Sequence, residues 1–163
     1  MTSGLLLVRK PTGISSAKAL YPVKRLFPGR KIGHTGTLDP FAEGLLVVLV
    51  GHATRLSRLF LTLDKRYVAT VRFGRETDTH DREGVTVKEA ALPEPAAVSR
   101  VQSQFIGTID QTPPTYSALK VNGQRSYALA RSGSEHSLSP RSVVVYDLNL
   151  IQKTQEMYEM TVH

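Results

Sequence analysis

Gly33-His34-Thr35-Gly36-Thr37-Leu38-Asp39-Pro40, followed by Glu43-Gly44 and the apolar run Leu45 to Val50, decides how this chain is read. Glycines, a histidine, threonines and one carboxylate are squeezed into a turn between two strand-like segments. Turns against a core usually carry fewer polar groups, because each one near apolar surroundings needs a partner. The loop is therefore expected to present a carboxylate to a ligand, with Asp39 the first candidate. Asp-Pro is also an ordinary turn dipeptide. The flanking Gly33, Gly36 and Gly44, which let backbone approach a ligand closely, favour the functional reading. A lone carboxylate of this kind serves as a nucleophile or a general base. His34 either hydrogen-bonds a base or phosphate or is satisfied within its own turn, and the residues alone leave both open.

Upstream, Leu5 to Val8 reads as a buried strand running into the turn Lys10-Pro11-Thr12-Gly13. Ser15 and Ser16 are good N-caps for a helix over Ala17 to Phe27. Pro22 conflicts with a helix interior, so the helix alternatively starts near Tyr21 with Pro22 in its first turn. Downstream, Leu45 to Val50 is a strand by length and branching. Leu56, Leu59, Phe60 and Leu63 recur at helical spacing within Ala53 to Leu63. Tyr67 to Phe73 alternates as a half-exposed strand, Gly74 to Gly84 is a polar loop, and Val85 to Val87 resumes a strand.

Pro93 and Pro95 precede a helix with Val98, Val101 and Phe105 on one face, ended by Gly107. Thr108 to Gln111 and Tyr116 to Val121 read as short strands, Asn122-Gly123 as a hairpin turn, and Arg125 to Arg131 as a short helix. Val143 to Ile151 and Met157 to Val162 form a plausible hairpin whose last strand lies at a sheet edge. Helices and strands mix without regular alternation, which predicts α+β with a mixed, largely antiparallel sheet flanked by helices. With no linker and no repeat, residues 1–163 are expected to form one domain.

The chain has 21 Lys+Arg against 14 Asp+Glu, a net charge of +7, and no cysteine. Disulfides and thiolate metal sites are excluded, and an intracellular, cytoplasmic address is allowed. No apolar run is long enough for a membrane helix, and no secretory signal is visible. The basic balance suggests a polyanion, most economically nucleic acid, against a bland reading as solubility charge. Lys18, Lys24, Arg25, Arg30 and Lys31, directly before the key loop, favour RNA or DNA. Glu76, Asp78, His80, Asp81 and Glu83 fit no calcium-loop spacing and read as a solvated loop, not a metal site. Tyr67 reads as a packing residue unless its strand end faces Asp39, where its ring would suit an extruded base.

Several motifs occur in order. They are Lys10-Pro11-x-Gly13-x-Ser15-Ser16, the Gly33 to Pro40 stretch with Gly44, Lys65-Arg66-Tyr67, and Gly74-x-x-Thr77-Asp78-Thr79-x-Asp81. Pro113-Pro114-x-Tyr116-Ser117-Ala118-Leu119-Lys120 and Tyr127-x-x-Ala130-Arg131 follow. Together they resemble the TruB family of bacterial tRNA pseudouridine synthases, which isomerise uridine 55 in the T-loop of tRNA. The resemblance implies that Asp39 is the catalytic carboxylate and that Tyr67 stacks on the flipped uracil and helps remove its C5 proton. It further implies that His34 enters the T-loop beside the extruded uridine, and that Lys10 supports the catalytic loop. Arg25, Arg30 and Lys31 are candidate phosphate contacts on charge grounds alone.

The implied reaction breaks the N1-glycosidic bond, rotates the base and reattaches it through C5. It needs no cofactor and no metal. Attack of the carboxylate at C1′ or C6, or removal of the C2′ proton, all remain open. The partner would be the T-stem-loop of tRNA, and the enzyme a monomer. The resemblance also implies further segments beyond His163: a strand with a tyrosine, an arginine that pairs with the catalytic aspartate, and a C-terminal RNA-binding extension. The chain is thus expected to be truncated. The runner-up is a non-catalytic tRNA-binding or RNA-chaperone module that uses the basic surface and His34 without chemistry.

Overall fold

The computed structural model describes residues 2–114, 120–121, 124–125 and 138–163, with residues 120, 121, 124 and 125 described by backbone alone. The chain divides into two compact units, Met1–Asp64 and Lys65–His163. All strand pairings among the described residues are antiparallel, and helices are few and short, so the chain is α+β. Among the described residues no helix is long and apolar enough to cross a membrane.

The first unit is built on β1 (Gly4–Lys10), β2 (Ile32–His34) and β3 (Gly44–Val50), in the order β1-β3-β2. Gly4 pairs with Val50 and Lys10 with Gly44, while Ile32 pairs with Val50 and His34 with Val48. Because side chains alternate across a strand, Leu6, Val8, Ile32, Leu46, Val48 and Val50 share one face. That face packs on Ala19, Leu20 and Val23 to form the core. Full burial, as at Leu46, Val48 and Val50, contributes about 1.5–3 kcal/mol per side chain, and the partly buried Leu6, Val8 and Ile32 contribute less. On the opposite face Leu5, Leu7 and Leu45 are exposed, so the strand expected to be buried is buried on one side only.

Those core residues sit on α1 (Ser16–Ala19) and α2 (Tyr21–Leu26), which meet at Leu20. Pro22 lies in the first turn of α2, where its missing N–H costs nothing. The single helix over Ala17 to Phe27 is replaced by this pair. Gly51–Leu56 winds as a 3-10 turn before the five-residue α3 (Ser57–Leu61). The change of helix type breaks the apolar spacing, and Leu56, Leu59 and Leu63 are exposed.

The second unit begins with β4 (Tyr67–Arg72), β5 (Arg75–Thr77) and β6 (Thr86–Glu89), then α4 (Pro95–Gln102) and β7 (Gly107–Gln111). The pieces β8 (Lys120–Val121) and β9 (Gln124–Arg125) precede β10 (Arg141–Val145), β11 (Leu148–Gln152) and β12 (Met157–Val162). A three-stranded sheet has the order β11-β12-β4, and β10-β7, β5-β6 and β8-β9 are two-stranded. The last strand is therefore central, contrary to the edge position expected of it. Gln102 ties α4 to this sheet, its Nε2 donating to Leu148 O at 2.7 Å and its Oε1 accepting from Leu150 N at 3.2 Å.

The expected strand over Val143 to Ile151 breaks at Tyr146-Asp147, whose amides both donate to His163 O. The polar segment Gly74 to Gly84 is not all loop, since β5 occupies its start and pairs with β6. Lys120↔Arg125 and Val121↔Gln124 pair around Asn122-Gly123, as a hairpin requires. Asn122 and Gly123 themselves lie outside the described residues. So do Tyr116 to Leu119 of the expected strand and 126–131 of the expected helix.

Candidate active site

β1 ends in Lys10, the most deeply buried polar residue of the first unit at 0% exposure. A buried ammonium is tolerable only when its protons are matched. Here Nζ donates to three carbonyls: Ile14 O at 2.7 Å, Pro11 O at 2.9 Å and Pro40 O at 3.4 Å. Gly13 N also donates to Pro40 O at 2.7 Å. Gly13 turns at φ +81, a conformation open to glycine, and that turn aims its amide at the second loop. The Lys10-Pro11-Thr12-Gly13 turn and the Asp39-Pro40 turn are thereby joined into one object.

α1 supplies the next link. Ser15 is the N-cap, accepting from Lys18 N at 3.2 Å. Ser16, buried at 2% exposure, has a different task. Its Oγ accepts from Leu38 N at 2.9 Å and donates to Leu38 O at 3.0 Å. Sequence reasoning read both serines as caps and missed this one. The only available signal was the Ser15-Ser16 doublet at fixed distance from Lys10-Pro11.

Asp39 follows, and its side chain is exposed. Its own carbonyl accepts from Ala42 N at 3.1 Å. Its carboxylate makes no hydrogen bond or ion pair to any of the described residues. Thus the backbone around Asp39 is pinned while its two oxygens remain available. An exposed carboxylate on a rigid backbone can act as a nucleophile or as a base towards a ligand brought to it.

His34, half-buried at the end of β2, bonds through Nδ1 to Gly36 O. A carbonyl only accepts, so Nδ1 carries the hydrogen of this contact, and in the neutral ring Nε2 is then the acceptor. One ring nitrogen is thus satisfied within its own turn, and the other is free to face a ligand. The adjoining Thr35 is buried and donates its amide to Val47 O at 3.0 Å, which anchors the loop to β3.

Arg30 and Lys31 line a cavity of about 300 Å³ with Thr2, Ser3, Gly29, Gly51, His52, Thr54 and Arg55. Arg25 is not among its lining residues. The cavity sits where β1 begins and β3 ends, so it lies one strand length, about 20 Å, from the Asp39 end of the sheet. Arg55 is the cation that sequence reasoning overlooked there; nothing in its local sequence marks it out from other arginines.

Tyr67 opens β4 in the second unit, paired with Val162, and is exposed. In the same unit, Asp78 Oδ1 accepts from Val85 N at 2.9 Å. Asp81 Oδ1 accepts from Thr79 Oγ1 at 2.6 Å and from Glu83 N at 2.9 Å. Those carboxylates cap their own loop. Among the described residues no group of three or more His, Asp or Glu is placed to hold a metal ion.

Residues 24–163 match the TruB family pseudouridylate synthase (N terminal domain). The chain belongs to that family. It is 48% identical over 151 residues to a tRNA pseudouridine synthase B of Saccharophagus degradans, covering 91% of this chain and 48% of that protein. Against the namesake of Bordetella pertussis it is 49% identical over 152 residues, covering 91% of this chain and 62% of the relative. Against that of Blochmanniella pennsylvanica it is 42% identical over 162 residues, with 99% and 62% covered. The chain thus spans about half to three-fifths of the length of the curated relatives it matches. Among solved structures it resembles a chain of a Cbf5-Nop10-Gar1 complex, with TM-score 0.69, 26% identity, and 98% of this chain and 38% of that one covered. A chain of an H/ACA RNP bound to a substrate RNA containing 2′-deoxyuridine shares the fold at TM-score 0.65 and 21% identity, with 98% and 37% covered. The TruB-family span includes His34, Asp39 and Tyr67, and it runs across the boundary between the two units.

Proposed function

We propose that this chain carries the catalytic machinery of a tRNA pseudouridine synthase acting on uridine 55 of the T-loop, with Asp39 as the catalytic carboxylate. The observation that carries the reading is an exposed carboxylate, unpartnered among the described residues, on a backbone held by buried Lys10 and Ser16. The relatives named tRNA pseudouridine synthase B support tRNA as substrate. The single family match across both units supports a reading in which residues 1–163 serve one catalytic domain.

The target base leaves its stack at a cost of a few kcal/mol and is recaptured by stacking and hydrogen bonds. An Asp39 oxygen attacks C1′ or C6, or removes the C2′ proton; the N1–C1′ bond breaks, the base rotates, C5 bonds to C1′ and gives up its proton with the help of Tyr67, N1 ends protonated, and Asp39 is released as the free carboxylate. Tyr67 stacks on the extruded uracil, and the free Nε2 of His34 accepts from a nucleotide donor in the opened loop. Arg30, Lys31 and Arg55 take the phosphates of the flanking stem. An exposed carboxylate is a weak catalyst in water, so the bound RNA itself has to close the site against solvent.

The test is direct. A T-stem-loop RNA is incubated with the chain and with Asp39→Ala, and pseudouridine is mapped. Conversion by the unaltered chain alone supports the enzyme; binding without conversion by either form favours an RNA-chaperone module, to which the net charge of +7 lends weight. Tyr67→Phe is expected to keep RNA affinity and slow single-turnover conversion about tenfold or more, a typical loss for a proton-transfer group. An unchanged rate would remove its hydroxyl from the chemistry. With about six phosphate contacts, RNA affinity should fall about 10³-fold between roughly 50 and 200 mM salt. A flat titration would argue against a basic RNA groove.

A further inference from the structure

We propose that Ser16 is a positioning residue for Asp39, acting through both peptide planes of Leu38; this rests on the reading of Asp39 as the reacting carboxylate. A residue's backbone is set by the orientation of the peptide planes before and after it. The plane between Leu38 and Asp39 contains Leu38 O, which accepts from Ser16 Oγ at 3.0 Å. The preceding plane contains Leu38 N, which donates to the same oxygen at 2.9 Å. The plane after Asp39 contains Asp39 O, held by Ala42 N at 3.1 Å, and the one after Pro40 contains Pro40 O, held by Gly13 N at 2.7 Å.

Asp39 also precedes a proline, which confines it to extended conformations. Both its neighbouring planes are therefore fixed, and its remaining freedom lies in two side-chain torsions. Ala42 and Gly13 supply backbone donors that no substitution except proline would remove. Ser16 and Lys10 are the two side chains in this set, and Ser16 alone bonds the plane leading into Asp39.

One hydroxyl fills both roles because it has one donor and a spare acceptor pair. It is 2% exposed, so water does not replace it on removal. Alanine at this position leaves the Leu38 amide and carbonyl unpaired. Cysteine preserves shape but offers a weak donor and a weak acceptor. The neighbouring Ser15 gives an internal contrast, since its hydroxyl caps α1 and does not touch the Asp39 loop.

The experiment compares Ser15→Ala, Ser16→Ala, Ser16→Cys and Asp39→Ala in the whole chain. Amide hydrogen exchange is read residue by residue, and single-turnover conversion and affinity are measured on a T-stem-loop RNA. In both Ser16 variants the Leu38 amide should exchange at least about tenfold faster, with the Leu46 and Val48 amides unchanged. Conversion should slow about 10- to 100-fold, the cost of misplacing a reacting group by about an ångström, while affinity stays within about twofold. Ser15→Ala should lower the melting temperature without changing the conversion rate. The proposal is overturned if Ser16→Cys keeps the original Leu38 exchange and rate, or if rates in all serine variants simply track melting temperature. Asp39→Ala separates the two ideas: undiminished conversion there removes the carboxylate reading itself, whereas its loss together with a normal Ser16→Cys rate removes only the role of Ser16.

Discussion

Asp39 and Asp78 sit in tight polar loops of similar composition, yet their carboxylates are used in opposite ways. Around Asp39 the holding groups come from far along the chain, Lys10 and Ser16, and they grip backbone only. Around Asp78 the holding groups are the loop's own side chains: Asp78 bonds Val85 N, Asp81 bonds Thr79 and Glu83, and Thr77 Oγ1 donates to Asp81 O at 2.7 Å. A loop that caps itself needs no outside support, but each capping oxygen has one site fewer for a ligand. A loop supported from outside can leave its carboxylate uncommitted. Function and self-stabilisation compete for the same oxygens.

The sharpest break of this contrast is Asp39→Ala. It should change stability by no more than about 0.5 kcal/mol, as for an exposed side chain without partners, while conversion of the RNA falls about 10⁴-fold, as for loss of a catalytic group. Urea unfolding and single-turnover assays check the two halves, and a large stability loss would show that the carboxylate is structurally engaged after all. Lys10→Met should behave the other way. Ile14 O and Pro11 O lose their Nζ donor while Pro40 O keeps Gly13 N, costing about 2 kcal/mol, and the first unit should unfold at visibly lower urea.

In the self-capped loop the sensitive point is a glycine. A Cβ on Gly84 would stand 2.3 Å from Thr79 Oγ1 and 2.4 Å from Asp78 Oδ1, both already committed to hydrogen bonds. Gly84→Ala should therefore cost about 1–2 kcal/mol by forcing those caps apart. Hydrogen exchange should rise at Val85 and Glu83 and stay unchanged at Leu38. Faster exchange at Leu38 would mean that the two loops are not independently held.

Much of this was legible in residue order. The Gly33 to Val50 stretch announced the loop and β3, Ser15 announced the start of α1, and Pro22 announced a break in the helix. What escaped was long-range. Ser15 and Ser16 are the same residue type in adjacent positions, and only the fold shows that one caps a helix while the other grips Leu38 across 22 residues of sequence. Lys10 ends an apolar strand, where its charge argues for the surface; three carbonyls brought by two turns make burial affordable. The central place of β12 was equally hidden, because alternation reports which faces a strand has and not how many neighbours.

That central place has a consequence for how the polypeptide acquires its shape during synthesis. β1 can zip to β3 once residue 50 has emerged, a closure over a short stretch of sequence. β4, in contrast, pairs with β12, so Tyr67 has to wait for Val162. Such distant pairings are the slow ones, and until Met157–Val162 is made β4 exists as an unsatisfied ribbon, open to capture by the wrong neighbour.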